Sequence, residues 1–363
     1  MIEILGKRYS SEALAEFFGD SSCIAGTRRY QLREGRSCGV NLTQIRTGSG
    51  LEFEVNETRG LDIGRCLYKG FPVSYMAYGG ECHPAFYEPF NDGWLRAFGG
   101  GLLVMGGLRS TGAPGVDRGE IFPLHGRISN IPAANVTARE MRDEKGCPLY
   151  IVEGEVRESK ALNHNLVLRR KITARQGTNT IFIDDQIKNE GFEDEEIMLL
   201  YHFNFGHPII DGGSHFLVHS RKVIPRDEDA AGQEEPYDAY VKPTPHYKDI
   251  VYYHVPEANK DGSATAAIVN ERAKIGVYLR FSPTQLPCLT QWKFLGQGNY
   301  VAGIEPGNAY VDGRAKEREE RGLEILPARK TKQVSIEFGF LASEDEIRAF
   351  KEENDFEHQT TMN

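Results

Sequence analysis

Apolar and polar residues alternate with a period of two along most of this 363-residue chain. Leu51-Glu-Phe-Glu-Val, Leu149-Tyr-Ile-Val-Glu-Gly-Glu-Val, Leu166-Val-Leu-Arg-Arg-Lys-Ile-Thr, Thr180-Ile-Phe-Ile-Asp-Asp-Gln-Ile and Gln333-Val-Ser-Ile-Glu-Phe-Gly-Phe alternate or are rich in β-branched and aromatic residues. The shorter Arg29-Tyr-Gln-Leu reads the same way. Each fits a strand with one buried face, and Gly, Asn, Asp and Pro mark the turns between them. Helical periodicity is confined to the ends, at Ser11-Glu-Ala-Leu-Ala-Glu-Phe-Phe and at Ser343-Glu-Asp-Glu-Ile-Arg-Ala-Phe, where a serine followed by acids resembles a capped start. Two charged stretches, Pro225 to Pro245 and Gly313 to Gly322, predict exposed loops. No repeat of fixed period emerges. The expected architecture is all-β: one large antiparallel sandwich over 1–363, with peripheral segments at 1–25 and 343–363.

Composition narrows the function class. A hydrophobic fraction of 40% with 26% charged residues is that of an ordinary globular chain, so disorder is not favoured. The net charge of -9, without a continuous basic stretch, argues against nucleic acid as a partner. The first residues lack a signal-peptide pattern and no segment has the roughly 20 apolar residues of a membrane span, so a cytoplasmic location without membrane association is expected. Six scattered cysteines without a CxxC pair suit reduced, packed thiols better than a disulfide scaffold or a zinc site.

Against this background three strand-like segments carry groups that are costly to bury. They are Pro123-Leu-His125-Gly-Arg127, Leu200-Tyr-His202-Phe-Asn204-Phe-Gly-His207 and Val301-Ala-Gly-Ile-Glu305-Pro. An imidazole or carboxylate in apolar surroundings is either satisfied within the core or part of a cleft with a tuned pKa. Alternation sets His202 and Asn204 on one strand face and Tyr201, Phe203 and Phe205 on the other. His207, before a proline, marks the strand exit. Trp292, joined to Glu305 through a Gly-rich turn, is either core filling or an aromatic plate for the C–H face of a sugar.

In this order the segments resemble those of the aldose 1-epimerase, or galactose mutarotase, superfamily. His125-Gly126 matches its His-Gly element, His202-Phe-Asn204-Phe its histidine strand, and Glu305-Pro306 its glutamate. The likeness spans most of the chain. It looks closest to a less-characterised bacterial branch marked by Arg59-Gly-Leu-Asp62-Ile-Gly-Arg65, Phe98-Gly-Gly-Gly-Leu-Leu and Glu305-Pro-Gly-Asn308. The resemblance implies the supersandwich fold, a monosaccharide or sugar derivative as partner, and neither cofactor nor metal. It implies Glu305 as general base at the anomeric oxygen, His202 as general acid at the ring oxygen and His125 as an assisting donor. Glu305 is then ionised and His202 protonated at the start. Arg59, Asp62, Arg127, Asn204 and Trp292 are the expected substrate contacts. Arg65 and Arg96 lie nearby, and several arginines in the groove would suit an acidic sugar, whereas ion pairing is an equal use for Arg59, Asp62 and Arg65. The aspartates of 225–250 offer no assigned counterpart to the sugar-binding aspartate of better-known mutarotases. A metal-dependent isomerase built on two His and a carboxylate, and a non-catalytic sugar-binding protein, are the alternatives.

Overall fold

The computed structural model describes residues 2–4 and 6–356, so the part of the expected carboxy-terminal segment at 357–363 lies outside the described residues. Two antiparallel sheets carry the fold. The hydrogen-bonded path of the larger, 11-stranded sheet runs Ser220–Pro225, Ile250–Pro256, Cys288–Leu295, Tyr300–Gly307, Leu200–Phe205, Leu103–Gly106, Asp62–Tyr68, Leu51–Asn56, Asn41–Arg46 and Gly26–Gln31. The eight-stranded sheet runs Ala134–Arg142, Pro148–Ser159, Asn165–Arg175, Thr180–Asn189, Thr331–Leu341, Ile275–Phe281, Ala264–Asn270 and Ser214–Val218. Every alternating segment named above falls in one of these strands.

The alternation works as expected in Thr180–Asn189, which buries Ile181, Ile183 and Ile187 and exposes Phe182, Asp184 and Gln186. From the facing sheet, Tyr201, Phe203 and Phe205 point into the same core. Phe203 and Phe205 stack on Phe338 with ring centroids 6.4 and 6.3 Å apart, which closes the sandwich and commits the other face of the Leu200–Phe205 strand to a different use.

Asp185 and Asn189 of the Thr180–Asn189 strand are inward positions that break the apolar rule. Asp185 is buried, and its carboxylate takes Arg170 Nε at 2.9 Å and Nη2 at 2.7 Å, with Tyr201 donating its hydroxyl at 2.8 Å. Arg170 Nη1 reaches across to Asp62 Oδ1 at 3.4 Å, so the cluster joins both sheets. Asp62, expected at a substrate, is therefore spent here, accepting also from the Met105 amide at 3.1 Å. Burial pushes its carboxyl up to about 7 against the pull of Arg170 and Arg59. Arg59 is likewise buried, donating to the carbonyls of Ser129, Cys82 and Ala97. It ties down the short helix Trp94–Ala97.

The terminal helices form at Ser11–Ala15 and Glu344–Glu353, with Ser10 and Ser343 as side-chain caps. The stretch from Gly313 to Gly322 is helical over Arg314–Glu320 instead of a loop: Lys316, Glu319, Glu320 and Arg321 are exposed as expected, while Arg314 and Glu317 are buried. Part of its charge is held internally, since Arg314 binds Asp117 at 2.9 Å and Glu196 at 2.8 Å. The 225–245 stretch also departs from a simple surface loop. It contains the helix Glu228–Ala231, buries Tyr240, and is pinned where Lys293 Nζ donates to Ala239 O at 3.0 Å and Gln291 Nε2 to Tyr237 O at 2.8 Å. Among the described residues no helix is long and apolar enough to cross a membrane.

Candidate active site

On the face of the larger sheet turned away from the core lies a cavity of about 740 Å³. Sheet register builds its floor. Thr290 pairs directly with Glu305 across the Cys288–Leu295 and Tyr300–Gly307 strands. The pairing of Phe203 with Ile304 and of Leu200 with Gly307 sets His202 opposite Glu305 on the other side. Three neighbouring strands thus present His202, Glu305 and Thr290 in one cross-strand row. Trp292, two residues beyond Thr290, shares this face.

His202 Nε2 lies 3.3 Å from Glu305 Oε1, within ion-pair reach. The contact is not aligned as a hydrogen bond, and Glu305 Oε1, His202 Nδ1 and Thr290 Oγ1 are buried without a hydrogen-bond partner among the described residues. Such atoms are costly to bury unless something polar meets them, and here they line a cavity large enough for a ligand. Burial pushes the Glu305 carboxyl well above the carboxylate range, with Asp249 adding to the rise. Burial, with His125 nearby, holds His202 well below the ordinary imidazole value. Both shifts favour the neutral forms, a carboxylic acid beside a neutral imidazole, over the ionised glutamate and protonated histidine expected from the resemblance.

His125 enters from the loop after Glu120–Phe122 with φ +53, its ring 5.5 Å from that of His202 and 4.8 Å from that of Trp94. The Gly112 amide donates to Nδ1 at 3.4 Å, which leaves the proton of the neutral ring on Nε2. Desolvation lowers this histidine to about 4. Gly126, at φ +76, permits the turn: a Cβ there would lie 2.3 Å from Ser110 O and 2.4 Å from Gly107 O. Gly303 has a different purpose, because a Cβ on it would lie 2.3 Å from Glu305 Oε1. Gly303→Ala is expected to displace this flexible carboxyl end and lower turnover about 10- to 100-fold. Its melting temperature should stay close to wild type; a normal rate would show that the carboxyl position is not critical.

Aromatic side chains form the walls. Trp94 stacks on Phe98 at 4.8 Å, and the Trp292 ring meets that of His202 edge-on at 5.3 Å. Trp292 Nε1 donates to Asp249, whose other carboxylate oxygen takes Arg226 Nη2 at 3.1 Å.

Of the five expected substrate contacts only Trp292 lines the cavity. Arg59 and Asp62 are committed as described. Asn204 shares the face of His202 but lies fully buried, donating to the carbonyls of Gly101 and His202 at 3.1 and 2.9 Å. Arg127 stands outside the lining with Nη2 3.5 Å from Ile121 O, and His207 is exposed beyond the strand. Sequence reasoning missed Thr290, Asp249, Arg226, Arg36, Trp94 and Tyr75. Thr290 was within reach, two residues before Trp292 on the same strand face, and Asp249 immediately precedes a strand. Arg36 carries no local signal. Among the described residues no group of three or more His, Cys, Asp or Glu side chains is placed to hold a metal ion.

The comparisons with known proteins agree with this geometry at the level of fold. No curated protein matches the chain. A candidate aldose 1-epimerase from Klebsiella pneumoniae superposes with a TM-score of 0.85 at 26% identity, over 91% of this chain and 87% of that one. A galactose mutarotase-like protein from Clostridium acetobutylicum gives 0.62 at 12% identity, covering 88% and 99%. A galactose 1-epimerase from Lactobacillus acidophilus gives 0.56 at 11% identity, covering 87% and 98%. The model of a domain of unknown function, DUF4432, matches residues 37–340. The chain belongs to the DUF4432 family and has the galactose mutarotase-like fold.

Proposed function

We propose that this protein is an aldose 1-epimerase-like isomerase that interconverts sugar anomers by acid/base ring opening and closure. The observation that supports this reading most is the buried Glu305 and His202 pair, 3.3 Å apart on the floor of an aromatic-walled cavity. Opening the ring removes the proton from the anomeric hydroxyl and adds one to the ring oxygen; rotation about C1–C2 and the reverse transfers give the other anomer. The pair holds the one proton this exchange needs. Sugar hydroxyls that donate to Glu305 replace its lost solvation and favour the carboxylate, moving the proton to His202. Glu305 then accepts from the anomeric hydroxyl, His202 protonates the ring oxygen, and His125 Nε2–H donates to that oxygen as charge shifts. Asp249 and Trp292 hold the ring through its hydroxyls and its C–H face.

Freshly dissolved pure anomers of neutral, deoxy and acidic aldoses, followed by polarimetry or proton NMR, test the reading. Faster approach to anomeric equilibrium for at least one sugar is expected; no acceleration of any would overturn it. The pH profile carries a second expectation. Activity requires one proton on the pair, so the acid limb of kcat/KM comes from protonating His202, whose pKa is lowered, and the alkaline limb from ionising Glu305, whose pKa is raised. The acid limb should therefore fall below about 6.5, the ordinary histidine value. An acid inflection at or above that value would contradict the resting state assigned here.

A further inference from the structure

We propose that the substrate is an anionic aldose, bearing a carboxylate or a phosphate, and that Arg36 at the cavity mouth receives its charge; this rests on the isomerase reading above. Three arginines line the cavity. Arg226 is occupied by Asp227 at 2.9 Å and Asp249 at 3.1 Å, and Arg96 lies 3.3 Å from Glu88. Arg36 has no carboxylate within ion-pair distance among the described residues. Its guanidinium is nonetheless held in place: Nη2 donates to the Arg96 carbonyl and the head sits 5.6 Å from the Phe86 ring centroid. A planar donor fork fixed by a carbonyl and an aromatic ring, with N–H groups to spare, suits carboxylate or phosphate oxygens.

The remaining lining charges point the same way. Asp249 and Glu305 are the acidic residues in the lining. The first is paired with Arg226, and the second lies buried at the floor, where burial favours its neutral form. The whole chain carries -9, a field that repels anions at a distance. A guanidinium without a counter-ion at the mouth supplies local attraction against it. Arg36 is half-buried and Tyr78, also in the lining, is exposed, whereas His202 and Glu305 are buried, so the charge would sit at the outer end and the anomeric carbon at the floor.

Calorimetric titration of the whole protein with galactose, galacturonate and glucose 6-phosphate, alongside Arg36→Gln and Arg36→Lys, tests this. One of the two anionic sugars should bind at least tenfold tighter than galactose, and which one identifies the carboxylate or the phosphate. Arg36→Gln should abolish that advantage, Arg36→Lys should keep part of it, and added salt should weaken it. No anionic preference, no binding of any of the three, or a preference unchanged in Arg36→Gln would overturn the proposal. Anionic binding through Arg36 without accelerated anomer exchange would instead remove the isomerase reading. Turnover of neutral sugars with no anionic advantage would remove only this inference.

Discussion

Glu305→Gln is expected to lower the rate of anomer interconversion by at least about 100-fold, and His202→Asn to do the same, because in the proposed reaction each removes one end of the proton transfer and a positioned acid or base contributes about 10² to 10⁴. Neither change should unfold the protein. Burial favours the neutral form of Glu305, and a glutamine of the same shape is neutral too. His202 rests unprotonated for the same reason of burial, and asparagine leaves no buried charge behind. As both residues serve one shared proton, the double variant should be little slower than either single one. Polarimetry on a pure anomer, with thermal melts as the folding control, provides the measurement. Near-normal rates in either folded single variant would exclude the acid/base assignment.

The second large effect concerns stability. Arg170→Met strands Asp185 in a core where its carboxylate has lost two guanidinium contacts, at 2.9 and 2.7 Å, and keeps only the Tyr201 hydroxyl. Removing one partner of a buried pair costs about 3–5 kcal/mol, because the remaining charge must be tolerated dry or neutralised. Urea unfolding at neutral pH should show a loss of this size. Adding Asp185→Asn should recover part of it, since an amide needs no counter-ion. A loss below about 1 kcal/mol, within the range of surface ion pairs, would mean that the cluster is not the junction between the sheets described above.

Alternation was enough to read the strands and to place His202 opposite the Phe203 and Phe205 face, because period-two patterning is set by burial on one side of a sheet. Motif adjacency was a poorer guide. Arg59 and Asp62 belong to a separate motif of the resemblance and Arg127 follows His125 by two residues, yet whether such a side chain meets a cavity or a carbonyl depends on the turn that carries it. Asn204 shows the limit of face reasoning: it has the correct face, but its amide is taken by Gly101 O. Charge density misled at 313–322, where the charges were read as solvated and Arg314 in fact lies between Asp117 and Glu196. The resting protonation of Glu305 and His202 could not be read from residue types, because desolvation depends on packing from distant segments.

The row of His202, Glu305 and Thr290 has a consequence for how such a protein can diverge. Neighbouring strands are held about 4.8 Å apart by the backbone ladder, so the spacing of these groups is a property of the sheet and needs no loop to assemble it. The mouth is built otherwise, from irregular stretches around residues 35–37, 75–98 and 226–249 that contribute Arg36, Tyr78, Arg96 and Asp249. Insertions or exchanges there can reshape the mouth while the row stays in register, so that, on the proposed reading, ligand choice and chemistry are separately heritable traits of one scaffold.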